Sequence, residues 1–480
     1  MESFFDQIYE DLEPFWGLGS AEIRGALAGW RWTIRIRNGK VQDVPQGRFR
    51  SRVWGDMLQR VAADLPDMDV AINPLDEPRV FAPWSKIDFL VKSASLQRAR
   101  MMSGHADEIS GWQDKPDLVN SMEPANTTWI KKGSLWPHVL AACDPSSLEP
   151  KFDRDTFQYT TNWTAMKDVC ANHHWADLHG SLTRPATMDI TNDLVPLFSA
   201  AKLQGSNDIL LPPPSYYTDD ALFTGKSWFG DGKTSIPWSE KLQGLVWRGK
   251  ATGGQLQNSS WSHSHRQRLV SMLNASNVPL GSNNDAVKWL ETERTQIDTL
   301  PVTKWLRSIA DVGFTDMLCS PKNTGDACKT MADHFSTVAP LAMRKQYRWK
   351  YLPDIDGNSL SGRFRAFLES NSSPMKATVF KEWHDSRLMP WVHFIPLDIT
   401  LRDLWHIMAY FLGFEQIQVQ AHDFEGERIA TEGQLWAESV LRKEDMELYV
   451  LRVLLEYARL RDDDRDSLGF VADLQAGQTV

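Results

Sequence analysis

Three polar loops in this sequence each follow a predicted strand and carry residues whose types suit catalysis or phosphate binding. They are NPLDEP with Asp76, WRGKATGG with Arg248, Lys250 and Thr252, and DIDGNSLSGRFR with Asp356, Ser361, Arg363 and Arg365. Ligands of open parallel sheets bind at the carboxyl ends of the strands, so we expect the three loops to meet at one site. A carboxylate beside basic side chains there could deprotonate a hydroxyl and stabilise an anionic leaving group.

The glycine-containing loop lies in a stretch of unusual charge. The whole chain has a net charge of −10, yet the stretch from Lys241 to Arg268 contains basic residues and no Asp or Glu. These basic residues are Lys241, Arg248, Lys250, Arg266 and Arg268. A local cationic patch suits a small anion such as a diphosphate, and a solvated surface is the alternative. Backbone N–H groups of the loop could add phosphate contacts, although the loop matches neither G-x-G-x-x-G nor the Walker pattern.

Two Asp-x-Asp pairs offer a different chemistry. They are Asp67 with Asp69, just before a predicted strand, and Asp354 with Asp356 in the third loop. Such a pair could hold a divalent cation on a diphosphate. The pattern is common by chance, so structural roles are preferred for both pairs and no metal is predicted. A metal-dependent reaction stays as an alternative.

Strands and helices alternate in the second half of the chain, which predicts a parallel sheet covered on both faces. Strands are predicted at 31–37, 68–72, 194–199, 208–211, 242–248, 349–355 and 377–380. Helices are predicted at 57–63, around Arg266 and Leu269, and at 361–369, where Ser361 could be a cap. A last helix is predicted from an N-cap at Thr431, with Gln434 three residues later, to Leu460.

Size and composition limit the classes of protein to which the chain could belong. A chain of 480 residues with 42% hydrophobic residues is too long for one ordinary domain, and two are expected. Acidic residues outnumber basic ones by 62 to 52, which argues against a nucleic-acid partner. No run of 18 apolar residues occurs, and the first residues, MESFFDQIYEDLEPFW, lack the features of a signal peptide or membrane anchor.

The cysteines and glycosylation sequons favour a secretory compartment. The four cysteines suggest the disulfides Cys143–Cys170 and Cys319–Cys328, and four reduced thiols in a cytosolic protein are the alternative. No C-x-x-C spacing occurs, which argues against a zinc site. Sequons occur at Asn126, Asn162, Asn258, Asn274 and Asn371. If the protein is secretory, we expect its targeting segment to lie outside this sequence.

Several ordered segments resemble glycosyltransferase family 90. These are LPDMDVAINPLDEP, VPLFSAAKLQGSNDILLPPPSYY, LVWRGKATGG, HRQRLV and the block KYLPDIDGNSLSGRFRAFLESNSSPMKATVFKEWHDSRLMPWVHFIPLDITLRDLW. The family includes fungal capsule-associated glycosyltransferases and animal protein O-glucosyltransferases. The matches extend from about residue 60 to residue 460, and the block at 347–405 is the most specific. The first 50 residues and residues 103–180 look closer to the fungal members.

The resemblance implies an α/β fold of the GT-B type. Two Rossmann-like domains with parallel sheets would face a central cleft, and a C-terminal helix would cross back to the first domain. The expected parts are an acceptor-side domain with N-terminal helices at 1–240, a donor-binding domain at 241–424 and the C-terminal helix at 425–480.

The resemblance also implies roles for individual residues. Asp76 matches the family's catalytic base, the Asp of N-x-x-D-x-P. The implied donor contacts are Ser199, Arg248, Gly249, Lys250, Thr252, Arg266, Ser361 and Arg363. Asp356 departs from the pattern, because animal members carry Arg in this loop, and this leaves the donor sugar open.

The function implied is an inverting, metal-independent transfer of xylose or glucose from a UDP-sugar to a hydroxyl of a glycan or glycoprotein. No cofactor and no nucleic-acid partner are expected. The expected compartment is the lumen of the Golgi or endoplasmic reticulum, with membrane attachment only through an anchor outside this sequence. The alternatives are a metal-dependent transferase, a glycoside hydrolase and a non-catalytic glycan-binding relative. A hydrolase would need two carboxylates across one bond, and no clear second acid emerges.

Overall fold

A computed structural model of the chain describes residues 2–102, 117–118, 127–152, 159–224, 236–255, 261–277, 299–317, 326–415, 418–465 and 468. Within these residues the protein is a mixed α/β structure with two main sheets and many helices. The strands are β1 Thr33–Arg37, β2 Lys40–Asp43, β3 Asp67–Ala71, β4 Asp117–Leu118, β5 Phe198–Ser199, β6 Ile209–Leu210, β7 Leu242–Lys250, β8 Ala310–Asp316, β9 Trp349–Ile355, β10 Ser373–Ala377 and β11 Ile395–Leu397.

The α-helices of the described residues range from single turns to helices of 19 residues. They are α1 Asp6–Leu12, α2 Ser20–Gly25, α3 Phe49–Val61, α4 Trp84–Met102, α5 Trp136–Ala142, α6 Trp163–Met166, α7 Gly180–Thr183, α8 Pro214–Tyr217, α9 Ala221–Thr224, α10 His265–Leu273, α11 Thr299–Ile309, α12 Asp326–His334, α13 Met343–Gln346, α14 Phe364–Glu369, α15 Leu404–Leu412, α16 Asp423–Val440 and α17 Lys443–Arg461.

The second half of the chain forms a five-stranded sheet in the order β11-β10-β9-β7-β8, with every pair parallel. Consecutive residues of β7 belong to different apolar clusters: Leu245 and Trp247 to one, Val246 to another. Both faces of the sheet are therefore covered, as a parallel sheet requires. The predicted parallel sheet is confirmed, and it brings the carboxyl ends of β7 and β9 together.

The sheet of the first half differs from the expected all-parallel Rossmann-like sheet. In the order β2-β1-β3-β4, strand β1 runs antiparallel to both of its neighbours, and only β3 and β4 are parallel. A tight turn at Asn38 and Gly39, both with positive φ, joins β1 to β2 as a hairpin, which fixes their antiparallel direction. The GT-B arrangement stays a prediction.

Several predicted elements have other bounds in the structure. Strands expected at 194–199 and 208–211 shrink to the two-residue pair β5 and β6, because most of these residues pack as irregular buried chain. The strand expected at 377–380 lies at Ser373–Ala377, because its pairing with β9 begins at Ser373 and ends at Ala377. The helix expected at 361–369 begins only at Phe364, so Ser361 is not its cap. The helix expected at 57–63 begins at Phe49.

The predicted last helix is two helices. Thr431 is not an N-cap, because α16 already begins at Asp423 and runs to Val440. A second helix, α17, follows from its N-cap Arg442, where the side chain of Asp445 accepts a hydrogen bond from the Arg442 N–H at 2.9 Å and also pairs with its guanidinium. Apolar residues of α17 belong to the same buried cluster as Trp54 of α3. The C-terminal helix thus packs on the first part of the chain.

One expected disulfide, Cys143–Cys170, is present, with a Cα–Cα distance of 5.6 Å. Cys328 is also disulfide-bonded, and its expected partner, Cys319, lies outside the described residues. Asn126 and Asn258 lie outside them too, and Asn162 has an exposed side chain. No helix within the described ranges has the length and apolar character needed to cross a membrane.

Candidate functional site

Asp76 lies in a turn that Asn73 holds in shape. The Asn73 side chain accepts a hydrogen bond from the N–H of Leu75 at 3.1 Å and donates one to the carbonyl of Glu77 at 2.8 Å. This local bonding is typical of asparagine in turns. The turn follows β3 and places Asp76 beyond the end of that strand. There 38% of the Asp76 side chain is exposed.

Both carboxylate oxygens of Asp76 accept hydrogen bonds from distant parts of the chain. Arg50 of α3 donates to Oδ1, and Asn358, from the loop after β9, donates to Oδ2 at 3.1 Å. Burial by itself raises the pKa of Asp76, but the charge of Arg50, the two hydrogen bonds and the charge of Arg266 outweigh it and leave this pKa below its usual value. Asp76 is therefore ionised at neutral pH, as a general base must be.

Glu77 is a second carboxyl group beside Asp76, but its surroundings are different. It is 3% exposed, and its Oε1 accepts a hydrogen bond from the N–H of Thr187 at 3.2 Å. Burial, followed by the charge of Asp76, raises the pKa of Glu77 to about 7. Because this side chain is enclosed, Glu77 does not form with Asp76 the open pair of carboxylates across a bond that a glycoside hydrolase would need.

The glycine loop after β7 does not offer its backbone N–H groups to a ligand. Each N–H from Ala251 to Gln255 donates within the protein. The acceptors are Asp316 O, Lys250 O, Asn358 Oδ1 for both Gly253 and Gly254, and Arg184 O. The loop uses these groups to attach to neighbouring segments, and the expectation that its backbone binds a phosphate stays a prediction.

Arg266 lies under the ends of two strands of the five-stranded sheet. Its guanidinium donates to the carbonyl of Lys250 at 2.8 Å, to Thr252 Oγ1 at 2.8 Å and to the carbonyl of Asp356 at 2.6 Å. Burial, followed by the charge of Arg363, lowers the pKa of Arg266 to about 9. The residue remains cationic at neutral pH and ties the carboxyl ends of β7 and β9 together.

Arg363 is a second arginine near these strand ends, half-buried and with fewer partners. Its Nη1 donates to the carbonyl of Arg248 at 2.8 Å, whereas its buried Nη2 has no hydrogen-bond partner within the described residues. Burial lowers its pKa, and the charge of Asp354 opposes this effect. A buried cationic nitrogen without an acceptor is costly, so this position suits an anionic ligand.

The basic side chains of the glycine loop point to other carboxylates. Arg248 Nη2 lies 2.6 Å from Asp311 Oδ1, and the same guanidinium donates to the Asp311 carbonyl. Lys250 lies 3.6 Å from Asp316, with 57% of its side chain exposed. Lys250 is thus available to solvent, whereas Arg248 would have to leave Asp311 in order to contact a donor.

The remaining expected donor contacts have mainly structural surroundings. Gly249 has no room for a side chain, because a Cβ would lie 2.5 Å from the ring of Trp247. The Ser361 hydroxyl bonds to Asp354, and its carbonyl accepts from Tyr216. Ser199 is buried between Asn73 at 3.1 Å and Asp208 at 2.5 Å. It therefore supports the Asp76 turn through Asn73.

The acidic pairs are engaged with protein groups. Asp67 accepts from the Asn38 N–H at 2.6 Å, and Asp69 lies 2.6 Å from Arg37. Asp354 lies 3.2 Å from Lys376, and Asp356 accepts from the Val379 N–H at 3.0 Å and lies 3.3 Å from His179. The Asp356 side chain is 1% exposed, and its contact with Val379 attaches the loop after β9 to the chain beyond β10.

Two residues of the site were not foreseen from the sequence, Arg50 and Asn358. Arg50 is one of several arginines at the start of α3, and nothing local marks it as the partner of Asp76. Asn358 lies two residues after Asp356 in the third loop, where the charged residues were the predicted site residues. The DGN sequence, typical of a turn, was the only available signal.

Comparison with known proteins agrees with the resemblance found in the sequence. The family model described as "Glycosyl transferase family 90" matches residues 310–465. Protein O-glucosyltransferase 3 of Rattus norvegicus is 29% identical over 113 residues, which cover 23% of this chain and 21% of that protein. Protein O-glucosyltransferase 2 of Danio rerio is 30% identical over 117 residues, which cover 24% and 22%. The chain spans about a fifth of the length of these relatives.

The matched segment contains Asn358, Ser361 and Arg363, and with them the loop that reaches Asp76. Residues 310–465 of this chain therefore form a region of glycosyltransferase family 90.

Proposed function

We propose that the protein is a glycosyltransferase that moves a sugar, xylose or glucose, from a UDP-sugar to a hydroxyl of a glycan or protein. The observation that carries the proposal is the 3.1 Å hydrogen bond between Asn358 and Asp76. It joins an ionised carboxylate from the turn after β3 to the strand ends of the second sheet, where Arg266 is buried and Arg363 is half-buried. In this proposal the base and the anion site therefore belong to one site.

In the proposed reaction Asp76 takes the proton of the acceptor hydroxyl while the oxygen attacks C1 of the donor sugar. The bond between C1 and the diphosphate oxygen breaks on the opposite face, so the anomeric centre inverts, and UDP leaves with the bonding electron pair. Asp76 with a low pKa is sufficient, because the alcohol proton is transferred only as the new bond forms.

The leaving diphosphate gains negative charge in the transition state, and cations that are fixed beforehand stabilise it without reorganisation. Arg363 is the best placed of the expected donor contacts, because its buried Nη2 has no acceptor among the residues that the structure describes. Lys250 can add a charge from solvent. We assign Arg266 a mainly electrostatic contribution, since carbonyls and Thr252 occupy its N–H groups.

The donor is tested by a screen of UDP-sugars with the purified protein, in which release of UDP is measured. We expect release from UDP-xylose or UDP-glucose, and none from GDP-mannose. UDP alone should raise the melting temperature, because it binds only the folded protein. Absence of any UDP release and of any thermal shift would overturn the proposal.

The donor site is tested by Arg363→Gln, which should weaken UDP binding roughly 10- to 100-fold, the value of one charge-assisted hydrogen bond. Arg428→Gln is the matched control, because Arg428 is 41% exposed and pairs only within its helix with Glu425. Equal affinity of both variants would contradict the placement of the diphosphate at Arg363.

The transfer is proposed to need no metal, since every carboxylate of the two Asp-x-Asp pairs has a protein partner. EDTA should leave transfer unchanged. Loss of transfer in EDTA with recovery in Mn²⁺ would favour the metal-dependent alternative. The proposed compartment is the lumen of the Golgi or endoplasmic reticulum, which the Cys143–Cys170 disulfide supports.

A further inference from the structure

The side chain of Asn358 connects two parts of the candidate site. Its Nδ2 donates to Asp76 Oδ2 at 3.1 Å, and its Oδ1 accepts from the backbone N–H groups of Gly253 at 3.1 Å and Gly254 at 3.2 Å. Its own carbonyl accepts from Ser181 Oγ at 2.7 Å, which fixes the backbone of the residue. One amide thus bridges the first sheet and the glycine loop.

Only a side-chain amide of this length can make this bridge. The Asp76 end needs a donor and the glycine end needs an acceptor, and among short side chains asparagine supplies both in one rigid plane. An aspartate at this position would keep the acceptor but lose the donor. An aliphatic side chain of similar size would lose both.

The backbone of the glycine loop directs two N–H groups to this side-chain amide. Gly253 and Gly254 have φ of +125° and +91°, a backbone form that favours glycine. A Cβ on Gly253 would lie 2.5 Å from the ring of His265, and one on Gly254 would lie 2.5 Å from the carbonyl of Gly180. The loop is therefore closely packed, and any shift of its N–H groups would be transmitted to Asn358.

We propose that Asn358 is a positioning residue that couples the conformation of the glycine loop to the orientation and basicity of Asp76. The inference rests on the proposed function for its catalytic consequence. Asn358 touches Asp76 and the loop, so its action on the reaction is through the base. A donor that moves the loop would thereby adjust the carboxylate that must accept the proton.

The charged groups facing Asp76 determine how the coupling is measured. Arg50 contacts it from α3, Arg266 acts from α10, and Glu77 is the adjacent carboxyl. Asn358→Asp adds a second carboxylate about 3 Å from Asp76 while it keeps the acceptor for the glycine N–H groups. The two carboxylates would then share protons as one coupled pair.

The test is the pH dependence of kcat/KM for UDP-sugar turnover. In Asn358→Asp, the acidic limb of the profile should move upward by about one pH unit or more, because one carboxyl of a close pair stays protonated to higher pH. Asn162→Asp is the matched control, with the same change of charge at an exposed position that caps its own short helix. Its profile should equal that of the wild type.

A second variant separates positioning from folding. Asn358→Leu removes both hydrogen-bonding ends, and we expect kcat to fall about 100-fold, as for a misplaced catalytic group, with a lower melting temperature. It should move the acidic limb upward less than Asn358→Asp does, since it removes a hydrogen bond that lowers the pKa of Asp76 but adds no charge. Circular dichroism checks that both variants are folded.

The outcomes distinguish this inference from the proposed function. If the wild type turns over no UDP-sugar, the proposed function fails. If the wild type is active and folded Asn358→Asp has the wild-type pH profile, the coupling by Asn358 is wrong. A shifted limb in Asn358→Asp with an unchanged Asn162→Asp supports it.

Discussion

The ion pair between Arg50 and Asp76 predicts how acid affects the enzyme when this arginine is replaced. Arg50→Gln removes a positive charge that contacts Asp76 Oδ1 and holds the pKa of Asp76 down. Two unit charges about 4 Å apart interact by about 4 kcal/mol at an effective dielectric constant of about 20. Because 28% of the Arg50 side chain and 38% of the Asp76 side chain are exposed, solvent reduces this value.

We therefore expect the pKa of Asp76 to rise by about one unit in Arg50→Gln, or about 1.4 kcal/mol. Asp76 has a lowered pKa in the folded protein, so its contribution to stability is present above the unfolded pKa and is lost as pH falls through the folded pKa. The variant should lose this contribution, and its acid unfolding should begin at a higher pH.

The assay is kcat/KM for UDP-sugar turnover from pH 4 to pH 8, with circular dichroism at each pH. The acidic limb should move upward in Arg50→Gln, while the rate at pH 7 should change less than about 10-fold, because Asp76 is still ionised there. Arg52→Gln is the matched control, since Arg52 is an exposed arginine of the same helix. If the acidic limb of folded Arg50→Gln equals that of the wild type, Arg50 does not hold the pKa of the catalytic base down.

Two further predictions concern the contacts that hold the site together. Gly180→Ala should lower the melting temperature and weaken UDP binding, because its Cβ would lie 1.8 Å from the carbonyl of Gly253. Gly19→Ala is the control and should do neither, because the space around Gly19 is open. Lys376→Met should destabilise the protein by about 3–5 kcal/mol in urea unfolding, because it leaves a buried carboxylate without its cation. That lysine lies 3.0 Å from Glu382, which is fully buried. A decrease of less than about 1 kcal/mol in the free energy of unfolding, as for an exposed ion pair, would contradict this prediction.

The sequence predicted best where a local pattern decides the structure. The strand at Trp349–Ile355 was predicted with its observed bounds, because an apolar β-rich run ends at a turn-prone DGN sequence. The strand before the glycine loop was also predicted and is only two residues longer. These two strands are neighbours in the parallel sheet, and their carboxyl ends indicate where a ligand site lies, whereas β8 and β11 were not predicted.

Prediction was poorer where long-range packing decides. Thr431 has the local features of an N-cap, but burial of α16 against the sheet continues the helix through it. Ser199 lies in a family-like segment, yet its hydroxyl is enclosed between Asn73 and Asp208. No spacing rule connects Arg50 to a carboxylate 26 residues later, because only the tertiary fold brings them together.

The glycine loop shows the same limit at the level of chemistry. Its composition is typical of phosphate-binding loops, and the fold nevertheless directs its N–H groups to Asn358 and to neighbouring carbonyls. The arginine with an unpartnered nitrogen, Arg363, was predicted as a donor contact from the resemblance, but its lack of an acceptor is visible only in the structure. Donor binding in our account therefore depends on side chains more than on the loop backbone.

The most direct test of the central claim is transfer by Asp76→Asn. The amide has nearly the same shape as the carboxylate but cannot take the proton from the hydroxyl of the acceptor. UDP-sugar turnover should therefore fall by about 10²- to 10⁴-fold. The thermal shift with UDP should be retained, because the proposed diphosphate contacts lie at Arg363 and Lys250. Turnover within a few-fold of the wild type in Asp76→Asn would contradict the assignment of Asp76 as the base.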